Sequence, residues 1–123
     1  EHQEDVIYLH GSWSVGPEEV RHSRVTQDFG DYMFLKYTAG SVNLVINSEA
    51  QEPFPLLVTL DGFPLDESNK GTDVFIGEDG RSFIQVAENR LYNLVDSPEF
   101  GTHELRLAPN SDGFAFYAFT FGP

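Results

Sequence analysis

The densest apolar pattern of the chain lies at its C-terminal end. In Phe114-Ala115-Phe116-Tyr117-Ala118-Phe119-Thr120-Phe121, strict alternation puts Phe114 and Phe116 on one side of an extended strand. Tyr117, Phe119 and Phe121 fall on the other side. A strand apolar on both faces has to be covered on both, so the segment reads as a central strand of an all-β core.

Upstream, the same two-residue period recurs in short runs. Tyr32–Thr38 is a run of β-formers, Ala39-Gly40 reads as a turn, and Val42, Leu44 and Ile46 alternate with Asn43, Val45 and Asn47. Leu56–Asp61 ends on the hairpin dipeptide Asp61-Gly62. Asp73–Ile76 and Ser82–Ala87 flank a second turn, Glu78-Asp79-Gly80-Arg81. Leu91–Val95, a loop at Ser97–Gly101 and a clean alternation over His103–Ala108 follow. At the other end, Val6–Leu9 and Ser12–Val15 are strand signals on either side of Gly11, and Gly16-Pro17 is a turn. Residues 18–25 fit a polar edge strand or a short helix, and residues 1–4 read as a frayed end. About ten short strands with turn chemistry between them predict a single all-β domain over residues 1–123, a sandwich or barrel.

Charge narrows the partners. Twenty acidic residues against 7 basic ones give a net charge of −13, and Lys36 and Lys70 are the two lysines. Such a surface repels phosphate backbones and anionic lipid, which argues against nucleic acid and membrane partners. No apolar run reaches the roughly 20 residues of a membrane helix. The chain opens at Glu1 without Met or a visible signal peptide, as expected of a processed protein or an excised domain. With no cysteine, the chain itself has no disulfide, thiolate metal site or thiol chemistry.

No catalytic constellation stands out. There is no Gly-x-Ser-x-Gly elbow and no Gly-rich phosphate loop, and the reading is of a non-enzymatic domain without cofactor or metal. The histidines at 2, 10, 22 and 103 have no ligand spacing, and read as solvated or singly hydrogen-bonded. The acids at 61, 66, 67, 73, 78 and 79 could approach calcium but lack the Asp-x-Asp-x-Asp-Gly spacing.

The residues singled out for binding are Trp13, Tyr37, Arg90 and Tyr92. Trp13 and Tyr37 could stack on the apolar face of a sugar ring; the competing reading of Trp13 is a core or rim residue. Arg90 and Tyr92 fall on one side of a strand. Arg90 could take a ligand carboxylate or hydroxyl pair, or form an internal ion pair with Asp61 or Asp73, and it is expected to be the most buried arginine. Phe54 and Phe63 are expected to be exposed.

Several of these segments together resemble a known family. They are Gly11-Ser12-Trp13, Leu60-Asp61-Gly62, Gly71-Thr72-Asp73-Val74, Asn89-Arg90-Leu91-Tyr92-Asn93-Leu94-Val95, His103-Glu104-Leu105-Arg106-Leu107 and Tyr117-Ala118-Phe119-Thr120-Phe121-Gly122. The pattern is similar to the C-terminal domain of bacterial thioredoxin-like proteins of the DipZ type, over roughly residues 9–122. That resemblance implies a jelly-roll β-sandwich like carbohydrate-binding modules, attached to a thioredoxin-like domain that faces the extracytoplasmic (periplasmic or secreted) side. The redox cysteines would belong to the partner domain. The expected function is a non-catalytic accessory domain that binds a saccharide. The alternative is a structural or protein-interaction domain that packs on its neighbour or dimerises.

Overall fold

The structure is a computed structural model that describes residues 4–123; the expectation for residues 1–3, His2 included, lies outside the described residues. Ten strands form one antiparallel sheet that folds over into a sandwich. They are β1 (Ile7–His10), β2 (Trp13–Val15), β3 (Val20–His22), β4 (Tyr32–Ser48), β5 (Phe54–Leu60), β6 (Phe63–Pro64), β7 (Val74–Ile76), β8 (Ser82–Val86), β9 (Arg90–Pro109) and β10 (Phe114–Gly122). The order across the sheet is β2-β3-β10-β4-β9-β5-β8-β7, with β1 on β4 and β6 on β5. Among the described residues there is no helix, and so none long and apolar enough to cross a membrane.

The strands are not uniformly short. β4 has 17 residues and β9 has 20, and together they form the spine that belongs to both layers. The first half of β4 pairs with β1 and the second half of β9; its second half pairs with β10 and the first half of β9. Phe54 on β5 and Phe114 on β10 are far apart in the sheet order, yet their rings meet edge-on at 6.4 Å across the core.

Two expected breaks are therefore bends. Ala39-Gly40 does not turn the chain: β4 runs straight through with a register shift between Ala39 and Ser41. The buried faces change parity there, from Met33, Leu35, Tyr37 and Ala39 to Val42, Leu44 and Ile46. Gly40 is needed for close approach, since a Cβ would sit 2.3 Å from the Pro123 carbonyl carbon. On β9, residues 97–100 stand out of the ladder opposite Gly40 but remain extended. The ambiguous segment at 18–25 contains β3, which forms a hairpin with β2.

The C-terminal strand departs from strict alternation. A bulge between Phe116 and Phe119 resets the register, so that Phe114, Phe116, Phe119 and Phe121 pair with Ser48, Ile46, Leu44 and Val42 in turn. Cross-strand partners share a face. All four phenylalanines thus share one face, in a ring ladder with spacings of 5.7, 6.0 and 6.2 Å that runs from buried Phe114 and Phe116 out to Phe121, 43% exposed at its end. Tyr117 lies on the opposite face of the strand, hydrogen-bonded to Glu19 and Asn47. The alternation put Phe119 and Phe121 on the wrong side because one extra residue in a strand inverts every position after it.

The outer face of the layer containing β5, β8 and β9 carries what matters below. Leu57 and Thr59 of β5 stand opposite Phe83 of β8 and Ala108 and Arg106 of β9, and Arg106 stands opposite Phe34.

Candidate ligand-binding groove

At the β7 edge of the sheet, a groove of about 570 Å³ is lined by Phe29, Pro55, Phe75, Gly77, Glu78, Asp79, Arg81 and Phe83. The sequence builds it from a hairpin and a loop. In β7, Val74 is buried and Phe75 is turned out, 44% exposed. Phe83 stands opposite Phe75 on β8, and their rings stack at 5.9 Å and 29°. The turn between the strands closes with Gly77 N–H donating to the Arg81 carbonyl, and Gly80 there takes φ +86°, which favours glycine.

Arg81 is fixed in place by this turn. Its Nε donates to Asp79 Oδ2 at 2.6 Å, and its backbone N–H to Asp79 Oδ1 at 3.1 Å. Those two bonds, backbone first, hold the Asp79 carboxyl below the usual carboxylate range. The Arg81 guanidinium carbon lies 5.1 Å from the Phe83 ring centroid and 5.7 Å from that of Phe29. Its terminal nitrogens make no hydrogen bond among the described residues.

The loop ahead of β4 supplies the third ring. Phe29, at φ +57°, packs on Phe83 at 5.8 Å. The loop is tied down two residues later by Asp31, a buried carboxylate that accepts from Arg24 Nε and Nη2, His22 Nε2 and Ser12 N–H. Hydrogen bonds from Arg24, with those from His22 and Ser12, outweigh burial and hold the Asp31 carboxyl far below the usual range.

The result is a floor of three phenylalanines edged by one arginine and two acids. Aromatic faces suit the C–H side of a sugar ring; guanidinium and carboxylate groups suit hydroxyls. Among the described residues, no group of three or more histidines and acids is placed to hold a metal ion.

The whole chain agrees with one family. Residues 1–122 match the family described as the thioredoxin-like C-terminal domain. The chain belongs to it. No curated protein matches the chain.

In this thioredoxin-like C-terminal domain, the four residues singled out from sequence do not converge. Trp13 is half-buried against His22, Phe114 and Phe116, and its indole N–H donates to the His10 carbonyl at 2.8 Å. Tyr37 is enclosed in the core, its ring stacked on Phe121 at 5.7 Å. Its hydroxyl is the one buried side-chain polar atom among the described residues with no hydrogen-bond partner, and burial, with the nearby Asp61 charge, pushes its pKa up. Tyr92 is also buried; its hydroxyl donates to the Glu88 carbonyl and accepts from the N–H groups of Ala87 and Glu88, closing the turn before β9.

Arg90 does lie on the Tyr92 ring, at 3.9 Å, and it pairs with Asp73 at 2.8 Å. It is not the most buried arginine. Its side chain is 43% exposed against 30% for Arg21, because Asp73 meets it at the rim and not beneath the sheet. Asp61 pairs instead with His103, at 2.6 Å. Phe63 is exposed, but Phe54 belongs to the core, since β5 begins at Phe54 and points it inward. His22 is neither solvated nor singly bonded: it is fully buried and bonded through both ring nitrogens. None of Phe29, Phe75, Arg81 or Phe83 was singled out. The available signal was Phe75 itself, the outward aromatic of a three-residue strand beside an Asp-Gly turn.

Proposed function

We propose that this domain is a non-catalytic, saccharide-binding accessory domain that positions a thioredoxin-like domain of its parent protein on the extracytoplasmic side of the cell. The observation that carries it is Phe75, exposed and stacked on Phe83 at the mouth of a groove edged by Arg81, Glu78 and Asp79. An exposed ring backed by a buried one is a rigid platform, so a sugar ring can stack on it with little ordering of the protein. Arg81 is already oriented by Asp79 and keeps its terminal N–H groups for hydroxyl oxygens. The family description places the domain C-terminal in a thioredoxin-like context, and the chain has no cysteine of its own, so redox chemistry falls to the other domain. A glycan-array screen of the isolated chain tests this reading. Binding to a defined set of neutral glycans is expected; no binding to any glycan overturns it.

The interaction reading has one observation in its favour. Phe100 is 66% exposed on the part of β9 that stands out of the ladder. The nearby Thr102 hydroxyl meets that of Thr38, which is bonded to Glu4 where the described chain begins.

A further inference from the structure

Arg106 sits on the same outer face, two strands from Phe83, and it differs from the other arginines. Arg21 pairs with Glu19 and Glu49, Arg24 with Asp31, Arg81 with Asp79 and Arg90 with Asp73. The Arg106 side chain has no ion pair or hydrogen bond among the described residues. With 20 acids to 7 basic residues in the chain, this is not for want of carboxylates. The guanidinium is held flat instead, its carbon 3.8 Å from the Tyr32 ring centroid and 5.5 Å from that of Phe34. His10 stacks on Tyr32 at 4.8 Å and extends the pile.

Arg106 also forms the wall between two cavities. One, of about 290 Å³, is lined by Tyr8, Leu9, His10, Tyr32, Phe34 and Arg106, with no acid among the described residues that line it. The other, of about 270 Å³, adds Thr59, Asp61, Gly62 and Glu104 to Phe34 and Arg106. Asp61 does not neutralise the arginine, because it is held by His103 Nδ1 at 2.6 Å and by the Glu104 N–H at 2.8 Å. A planar guanidinium pre-oriented on aromatic rings is the geometry that takes a carboxylate through two parallel N–H bonds. The acid-lined neighbour suits hydroxyl donors and rejects a second anion.

We propose that this pair of cavities is a second saccharide site, selective for a sugar acid: the carboxylate pairs with Arg106 in the cavity beside Tyr32 and His10, and ring hydroxyls donate to Asp61 and Glu104 in the other. It rests on the reading above only for the class of ligand; the residues are different, so the two stand or fall separately. The chain's net negative charge does not forbid it, since at about 0.15 M salt charges beyond roughly 8 Å are largely screened.

The test is an NMR titration of the whole chain with sodium glucuronate, glucose and sodium acetate in turn, following the backbone and arginine Nε–H signals. Glucuronate is expected to move Arg106 Nε–H together with the amides around Tyr32, Asp61 and Glu104, while glucose and acetate leave them in place at the same concentration. Arg106→Gln should weaken glucuronate binding at least about tenfold, the loss expected for a bidentate charge-assisted pair. Arg106→Lys, which keeps the charge on the rings and loses the fork, should fall in between. Phe75→Ala should leave glucuronate binding unchanged. The proposal is overturned if glucuronate moves none of these signals, if acetate or glucose moves them equally, or if Arg106→Lys binds glucuronate like the parent chain. Loss of binding in Phe75→Ala with full binding in Arg106→Gln would assign the sugar acid to the other groove and overturn it as well.

Discussion

Asp31 accepts a hydrogen bond from His22 Nε2 at 2.9 Å while His22 Nδ1 faces the Ser111 carbonyl at 2.8 Å. Both partners of the imidazole are acceptors, so both bonds form together only when both ring nitrogens carry protons. The pair joins β3, the loop ahead of β4 and the turn before β10 at one buried point.

Replacing Asp31 by Asn leaves Arg24 without its counter-charge and His22 Nε2 without its carboxylate partner. A loss of about 2–4 kcal/mol is expected in urea denaturation, since breaking one side of a buried pair strands the other. Gly11→Ala should act at the same place, because a Cβ there would lie 2.1 Å from Asp31 Oδ1 and the backbone sits at φ +103°.

The same carboxylate sets an acid limit. Its pKa is depressed in the folded state, above all by the Arg24 hydrogen bonds. A depressed carboxylate stabilises the fold above its unfolded pKa, about 3.9, and that contribution is lost as pH falls below this value. Asp73 adds to the effect: burial raises its pKa, but hydrogen bonds from Arg90 and Asn93 N–H prevail and leave it lowered. Melting temperatures should therefore fall steeply in the parent chain as pH drops from about 4.5 to about 2, and less steeply in Asp31→Asn. Equal slopes would show that Asp31 does not contribute.

The ring ladder of β10 predicts a core effect. Phe116 lies between Phe114 and Phe119 and is 1% exposed. Phe116→Ala should destabilise by roughly 3–5 kcal/mol. A measured loss below about 1 kcal/mol would place the strand at the periphery.

Tyr37→Phe should do the reverse. It removes a buried hydroxyl that has no partner among the described residues and keeps the ring on Phe121. A gain of about 1 kcal/mol is expected from denaturation curves, and a loss of that size would mean the hydroxyl is bonded in solution.

The strands and turns were legible because they are local. Asp61-Gly62 does close a hairpin, with φ of +54° and +84°, and β5 alternates in burial to its last residue. The bends were not legible: Gly40 reads as a turn in isolation, and only the packing of Pro123 against it shows that the strand continues. The Phe116–Phe119 bulge is invisible for the same reason, since its register is set by Leu44 and Ile46, partners far away in the chain. The groove brings together a loop at 29, a strand at 55 and a hairpin at 75–83, and no spacing rule connects those positions. Arg90 with Tyr92 and Asp73 was legible as a neighbourhood but not as a depth, because exposure depends on what the rest of the sheet covers.

Affinity electrophoresis of the parent chain, Phe75→Ala and Arg81→Gln through gels that contain a neutral polysaccharide bound on the array tests the central claim most directly. The parent should be retarded. Phe75→Ala should weaken binding at least about fivefold through lost stacking, and Arg81→Gln should also weaken it, with melting temperatures within a few degrees of the parent. Retardation of Phe75→Ala equal to that of the parent, or no retardation of the parent in any gel, would contradict the assignment of the groove.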